Sequence, residues 1–177
     1  MFTFFILLSL ISIIFIIISA QKNKNPAPIA TPPSEASQWG QITPGQSTEA
    51  DVTKILGKAK SINGTTQSYN SANSTRDNQV VYRNGIVDFS KETISYTEGK
   101  TTDEITAKYG VAQNMLYGQD SVNGFYLFVY PSDGIAYLGN PVTKSLLEIW
   151  HFTPTDIDTF ITKWGEGYSK TPPKGTF

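Results

Sequence analysis

The sequence predicts an α+β domain in which short helices pack on one face of an antiparallel sheet. One observation is a repeat: Thr48–Gly57 and Thr101–Gly110 each run from a threonine, through an acid three residues later and apolar residues at helical spacing, to a glycine. The other is that each copy precedes β-rich runs separated by turn residues, with Asn84-Gly85 the strongest hairpin signal. We therefore expect two tandem units, each a helix followed by three to four strands, and a C-terminal helix.

The N-terminal part of the 177-residue chain is not expected to join the core. Residues 2–20 carry no charge and are long enough to cross a bilayer as a helix. We expect a retained membrane anchor with the domain outside the cytoplasm, in the periplasm or on the cell surface. A cleaved signal with secretion is the second choice, because no basic residue precedes the apolar run as one does in a typical signal peptide. A cytoplasmic domain is the third choice; Lys22 and Lys24 after the run favour it under the positive-inside rule. Residues 21–41, rich in Pro, Ala and Ser, are typical of a linker.

The two units are expected at residues 42–99 and 100–152. In the first, strands are predicted around 67–69, 79–83, 86–90 and 93–97; in the second, at 125–130, 135–138 and 146–152. Asp133-Gly134 and Asn140-Pro141 supply the turns of the second unit. Neither unit has enough strands to bury its apolar face alone, so the two are expected to share a core.

A capping helix is predicted over residues 153–165, with Thr153 as its N-cap and Pro154 at its first position. Its apolar residues recur at helical spacing and Gly165 ends it. Residues 166–177, rich in Gly, Pro and Lys, are predicted to be a flexible tail. The expected helix layer of the core consists of Trp39, Tyr109, Phe160 and Trp164, and the expected sheet layer of Phe128, Tyr130 and Ile149.

Composition argues against several classes of function. The chain has 14 Lys and Arg against 15 Asp and Glu, with no basic cluster, so a nucleic-acid partner is not expected. It has no cysteine and one histidine, His151, so neither a zinc-type metal site nor a bound cofactor is predicted. No catalytic residues are assigned: His151 is read as a strand residue, and Asp51 and Glu104 as helix-capping acids.

The aromatic run of the second unit is the strongest indication of a binding surface. Alternation places Tyr126, Phe128 and Tyr130 on one face of a strand, and Tyr137 lies on the next strand. Residues on the other face of that strand are apolar as well. The four aromatic residues are therefore either part of a buried core or a platform for a protein partner.

The pattern from Gly45 through Ser47, Thr48, Asp51 and Val52 to Leu56-Gly57, followed by strands around an Asn-Gly or Asp-Gly hairpin, resembles the β-lactamase-inhibitor-protein-like fold group. That group includes the small lipoprotein of the bacterial outer-membrane assembly machinery. The resemblance covers about residues 42–165 and implies a short helical region on an antiparallel sheet behind an export signal and a linker. Ala59 stands where that group usually has proline, and the lipid-bearing cysteine is missing, so a role in outer-membrane assembly is not implied.

These features favour a non-catalytic, membrane-tethered, extracytoplasmic module that binds another protein of the cell envelope. The alternative is a domain that binds a small ligand or a cell-wall glycan through aromatic side chains in a groove between the units. An enzyme is the least favoured reading, because it would need a cleft that gathers His151, an acid and a hydroxyl group.

Overall fold

A computed structural model describes residues 38–73 and 75–173, and in it the two units form one eight-stranded antiparallel sheet. The strands are Ser61–Asn63 (β1), Thr66–Tyr69 (β2), Asn78–Arg83 (β3), Ile86–Thr93 (β4), Asn114–Leu116 (β5), Tyr126–Tyr130 (β6), Ile135–Gly139 (β7) and Leu146–Phe152 (β8). The α-helices are Glu49–Leu56 (α1), Thr102–Tyr109 (α2) and Ile157–Lys163 (α3). The predicted α+β class is confirmed.

The sheet has the strand order β1-β2-β3-β4-β8-β7-β6-β5, which is symmetric about its centre. Each unit is a helix followed by a four-stranded antiparallel meander, and the last strands of the units pair at the centre, from Phe89 opposite Phe152 to Thr93 opposite Glu148. The tandem duplication predicted from the helix motif is therefore confirmed. The β4–β8 pair is called the seam below.

The repeated helices are built by the same local contacts. The backbone amide of Thr48 donates to Asp51 Oδ2 at 2.8 Å, and that of Thr101 donates to Glu104 Oε1 at 3.2 Å. Each capping threonine also bridges the start of its own unit's last strand, Thr48 to Ile86 and Thr101 to Ser145. These bridges fix each short helix against its sheet, which its own propensity would not do.

The two repeated helices lie on one face of the sheet and α3 lies on the other. Val52 of α1 packs with a cluster that includes Val80 and Tyr82, and Ile105 of α2 packs with one that includes Tyr130 and Tyr137. On the opposite face α3 buries Phe160 among the following residues: Phe89, Leu116, Leu127, Val129, Ala136, Leu138, Trp150 and Phe152. The expected single helix layer is therefore wrong: Trp39 and Tyr109 lie on one face of the sheet, whereas Phe160 and Trp164 lie on the other.

Several predicted boundaries also differ. The strand predicted at 93–97 is replaced by the end of β4 and a 3-10 turn, Tyr96–Glu98, because the Glu98 carboxylate accepts a hydrogen bond from the Ser95 amide and turns the chain. The C-terminal helix starts at Ile157 and not at Pro154. Its cap is Asp156, which accepts from the Thr159 amide at 2.9 Å, while the Thr155 amide is held by the carbonyl of Pro131 in an extended segment.

The ends of the domain extend beyond the predicted limits. Residues 38–41, predicted as linker, form a 3-10 turn, and the ring of Trp39 packs edge-on against Tyr69 at 5.9 Å. In the predicted tail, Tyr168 packs on Trp150 and Ser169 exchanges two backbone hydrogen bonds with Tyr117, so this part is tied to the sheet. The predicted anchor at 2–20 and most of the linker lie outside the described residues. Within the described ranges no helix is long and apolar enough to cross a membrane.

Candidate functional site

The four predicted platform residues form a continuous aromatic ladder, which α2 half covers. Tyr130 and Tyr137 are buried, and the Tyr130 hydroxyl donates to the Gly110 carbonyl at the end of α2 at 2.7 Å. Phe128 stacks on Tyr137 with ring centroids 4.8 Å apart, and Tyr126 meets Phe128 edge-on at 6.5 Å. The prediction left core and platform as alternatives: Tyr130 and Tyr137 belong to the core, whereas Tyr126 and Phe128 are only half-buried.

The accessible end of the ladder lies at the β5 edge of the sheet. Met115 stands opposite Phe128 in the β5–β6 pair and is 38% exposed. Tyr117 meets Tyr126 edge-on at 5.6 Å. We call Met115, Tyr117, Tyr126 and Phe128 the edge patch.

A second and more polar site lies on the opposite face of the sheet, where the units meet. It is a groove of about 290 Å³, which we call the junction groove. Its lining residues come from the loop before β3, from β3, β4 and β8, and from the end of α3 with the segment after it: Arg76, Gln79, Phe89, Lys91, Glu148, Trp150, Trp164, Glu166 and Tyr168.

The groove exists because α3 covers only the second unit's half of this face. Gln79, Lys91 and Trp150 stand side by side across β3, β4 and β8 and so face the same side of the sheet. On β8, at Trp150, and on the strands of the second unit beyond it, this face is buried under α3. On the first unit's side, Ser68 and Gln79 are half-exposed. The groove therefore has an aromatic wall on the α3 side and opens onto a polar strip of the first unit.

The aromatic wall is fixed by ring packing. Phe89 meets Trp150 edge-on at 5.4 Å and stacks on Trp164 at 6.2 Å. Tyr168 meets Trp150 edge-on at 5.7 Å. Trp164 and Tyr168 keep part of their surface exposed, so they can offer ring area to a ligand without leaving the core.

A partly buried charge network lies at one end of the groove. Arg76 Nη1 lies 2.8 Å from Glu148 Oε1, and Arg76 Nη2 lies 2.7 Å from Asp120 Oδ1. The indole N–H of Trp150 donates to the other oxygen of Glu148 at 2.8 Å. Burial, reinforced by the charges of Glu148 and Asp120, raises the pKa of Tyr168, so this phenol stays neutral. The charged groups of Arg76, Asp120 and Glu148 and the Trp150 indole N–H are engaged with one another, so they position the wall and leave polar ligand contacts to their neighbours.

The polar groups available to a ligand are Gln79, Lys91 and Glu166. Among the described residues, none of these three side chains makes a hydrogen bond or an ion pair. They present an amide, an ammonium and a carboxylate to the groove. Sequence reasoning missed this set, since its members are far apart in the chain; the available signal was Glu148 and Trp150 sharing a strand face, an acid placed beside a core tryptophan.

The catalytic candidates do not form a reactive group. His151 stands opposite Ser90 at the seam, on the face of the sheet that carries α1 and α2. The junction groove lies on the other face. Burial, and then the nearby charge of Lys108, lowers the pKa of His151 to about 4. The buried Ser90 hydroxyl has no hydrogen-bond partner in the described structure, so His151 does not activate it.

Asp51 and Glu104 each cap their own helix, as the sequence predicts, and do not form a site of paired carboxylates. Hydrogen bonds from the Thr48 amide and hydroxyl hold the pKa of Asp51 below its usual value. Across residues 38–73 and 75–173, no three His, Cys, Asp or Glu side chains come together as metal ligands would.

No family model and no curated protein matches the chain. Among solved structures, it is similar to the crystal structure of YjgB, a DUF4309 family protein from Bacillus subtilis subsp. subtilis str. 168. That similarity has 12% sequence identity and a TM-score of 0.44, and it covers 63% of this chain and 82% of that chain. At this level, the similarity assigns neither a family nor a function to the chain.

Proposed function

We propose that the protein is a non-catalytic binding module whose junction groove receives a small polar ligand, in particular a sugar unit of a cell-wall glycan. The observation that carries this proposal is the pairing of a half-exposed tryptophan and tyrosine with three unengaged polar side chains in one groove. A groove of about 290 Å³ is at the small end of ligand sites, which suits one sugar ring or the end of a longer chain.

The aromatic wall and the polar strip would contact different parts of the sugar. One face of a sugar ring is largely C–H, and it can lie on the exposed part of Trp164 or Tyr168. The hydroxyl and amide groups at the ring edge can then bond to Gln79, Lys91 and Glu166. Because the aromatic wall is packed into the core, few side chains would lose freedom on binding, which favours affinity for a small ligand.

The expected anchor at residues 2–20 and the linker that follows it would hold this groove at a distance from a membrane. We place the domain on the extracytoplasmic side, where cell-wall glycans are found, with release by cleavage as the second possibility. We also propose that this protein belongs to the β-lactamase-inhibitor-protein-like group, which its sequence resembles over about residues 42–165.

Binding is tested by titrating the full-length protein in detergent with N-acetylglucosamine oligomers and following tryptophan fluorescence. We expect saturable binding that Trp164→Ala and Gln79→Ala each weaken at least fivefold. The Gln79 side chain is half-exposed and makes no hydrogen bond with the other described residues, so its variant separates lost binding from lost stability. Tyr126→Ala, on the opposite face, is the control and should bind like the wild type. Equal binding by all four proteins would place the ligand outside the groove.

A protein partner at the edge patch is the second candidate. It is favoured by the half-buried Tyr126 and Phe128 beside the exposed Met115, since aromatic residues and methionine are enriched in the centres of protein interfaces. A photo-crosslinking amino acid in place of Tyr126 should capture one discrete envelope protein in intact cells. The same amino acid in place of Ile62, an exposed residue at the far edge of the sheet, is the control. Identical crosslinks from both positions would argue against a specific patch.

A further inference from the structure

One cation of the groove, Lys91, has no counter-charge among the residues that the structure describes. Lys91 lies in the middle of β4, half-buried, with Gln79 on one side and Trp150 on the other in the neighbouring strands. Its side chain is part of the groove lining. A charge partly withdrawn from water is expected to be matched by an opposite charge or by hydrogen bonds.

Other half-buried cations of the domain are matched in this way. Arg76 meets the carboxylates of Asp120 and Glu148, and Lys100 meets those of Glu92 and Glu98 at 3.2 and 3.1 Å. Lys91, in contrast, has no carboxylate within ion-pair distance among the described residues.

Neither acid of the groove, Glu148 or Glu166, forms an ion pair with Lys91. Glu148 already uses one oxygen for Arg76 and the other for the Trp150 indole. Glu166, at the exposed rim, forms no ion pair with Lys91. A ligand anion placed beside Trp150 and Trp164 would therefore meet one unpaired positive charge.

We propose that the ligand of the junction groove is an acidic sugar whose carboxylate pairs with the Lys91 ammonium while its ring lies on Trp164. This inference rests on the proposed sugar-binding function and specifies the ligand class. A single lysine supplies one positive charge, which one carboxylate neutralises, whereas a phosphate monoester carries about −1.5 to −2 near pH 7. Arg76 is already engaged, so no second cation of the groove would balance that charge. The carboxylate of Glu166 disfavours polyanions, so the anion is an isolated one.

Two sugars that differ only in a lactyl ether group, which carries a carboxylate, provide the test. The affinities of the full-length protein for N-acetylmuramic acid and N-acetylglucosamine are measured by ligand-observed NMR, with N-acetylglucosamine 6-phosphate as the phosphate probe. We expect the acid to bind about tenfold more tightly than the neutral sugar, which corresponds to about 1.4 kcal/mol. Half a molar NaCl should reduce that ratio, because salt screens a partly exposed ion pair.

Lys91→Met should bring the ratio of the two affinities to about one. Because Lys91 can also bond the hydroxyl groups of a neutral sugar, the ratio and not the affinity for the neutral sugar is the readout. Lys54→Met, which removes an exposed charge on α1 at the other face of the sheet, should leave the ratio as in the wild type. Equal affinities in the wild type, a ratio that survives Lys91→Met, or a preference for the phosphate would each overturn the carboxylate assignment while the groove remains a sugar site. Failure of all three sugars to bind would overturn the proposed function itself.

Discussion

Removing Arg76 is expected to weaken the domain and open one end of the junction groove. Arg76→Met keeps most of the apolar stem and removes the two charge-assisted contacts with Glu148 and Asp120. Glu148, whose side chain is only 4% exposed, would then keep a single partner, the Trp150 indole. An ionised carboxylate that loses its counter-charge at such a site is strongly destabilising.

The size of the effect follows from the burial of the partners. Breaking a fully buried pair costs about 3–5 kcal/mol. Arg76 and Asp120 are 28% and 24% exposed at the side chain, so water recovers part of that loss. We expect the free energy of unfolding to fall by about 2–3 kcal/mol, which for a domain of this size lowers Tm by roughly 10 °C.

Urea unfolding of the full-length protein in detergent, followed by tryptophan fluorescence, measures the change, since Trp150 and Trp164 line the groove. Arg83→Met is the matched control: its pair with Asp88 spans 3.2 Å and its side chain is 60% exposed, so we expect a loss below about 0.5 kcal/mol. The double variant with Glu148→Gln should lose less than the sum of the two single losses. The reasoning would be refuted if Arg76→Met and Arg83→Met lowered the free energy of unfolding equally. It would also be refuted if the loss in the Arg76→Met/Glu148→Gln variant equalled the sum of the two single losses.

Other variants test the core, a helix cap and the buried histidine. Phe160→Ala should cost about 3–5 kcal/mol in the same urea assay, because Phe160 is fully buried against Phe152; a loss below 1 kcal/mol would contradict the packing of α3. Asp156→Ala should cost about 1 kcal/mol, whereas Asp156→Asn should be nearly neutral; equal losses would argue against a capping role. The folded pKa of His151 is about 4 against 6.5 when unfolded, so the unfolded chain binds the extra proton between these values. The contribution of neutral His151 to the free energy of unfolding should therefore be fully present above pH 6.5 and fall by about 2 kcal/mol towards pH 4, after allowance for the partial exposure of the ring. His151→Gln should remove this pH dependence in urea titrations across that range; an unchanged dependence would assign it to other groups.

The local signals in the sequence predicted the repeated helices and the central hairpins well. Capping by Thr48 and Thr101, and the turn at Asn84-Gly85, depend on residues close in the chain, so the sequence is sufficient to find them. Strands β1 and β5 were missed because each has three residues and is defined by its neighbour in the sheet. The apolar stripe of α3 predicted which side of the helix is buried and could not specify which face of the sheet it covers.

The candidate site was less accessible to sequence reasoning. The aromatic residues at positions 126–137 were identified, but whether they are buried depends on where α2 docks, and this is a tertiary property. The junction groove depends on the seam, which brings Gln79 and Lys91 beside Trp150. Arg76 lies in a polar loop whose composition gave no sign that it would contact Glu148, 72 residues further along the chain.

The seam has a consequence for the order in which the molecule assembles. Hairpins within each unit join neighbouring segments and can form early, whereas β4 must wait for β8, and non-local pairings of this kind are slow. Trp164 and Tyr168, which complete the wall of the groove, follow β8 in the chain. A polypeptide that lacks the segment after β8 should thus acquire its hairpins without completing the junction groove.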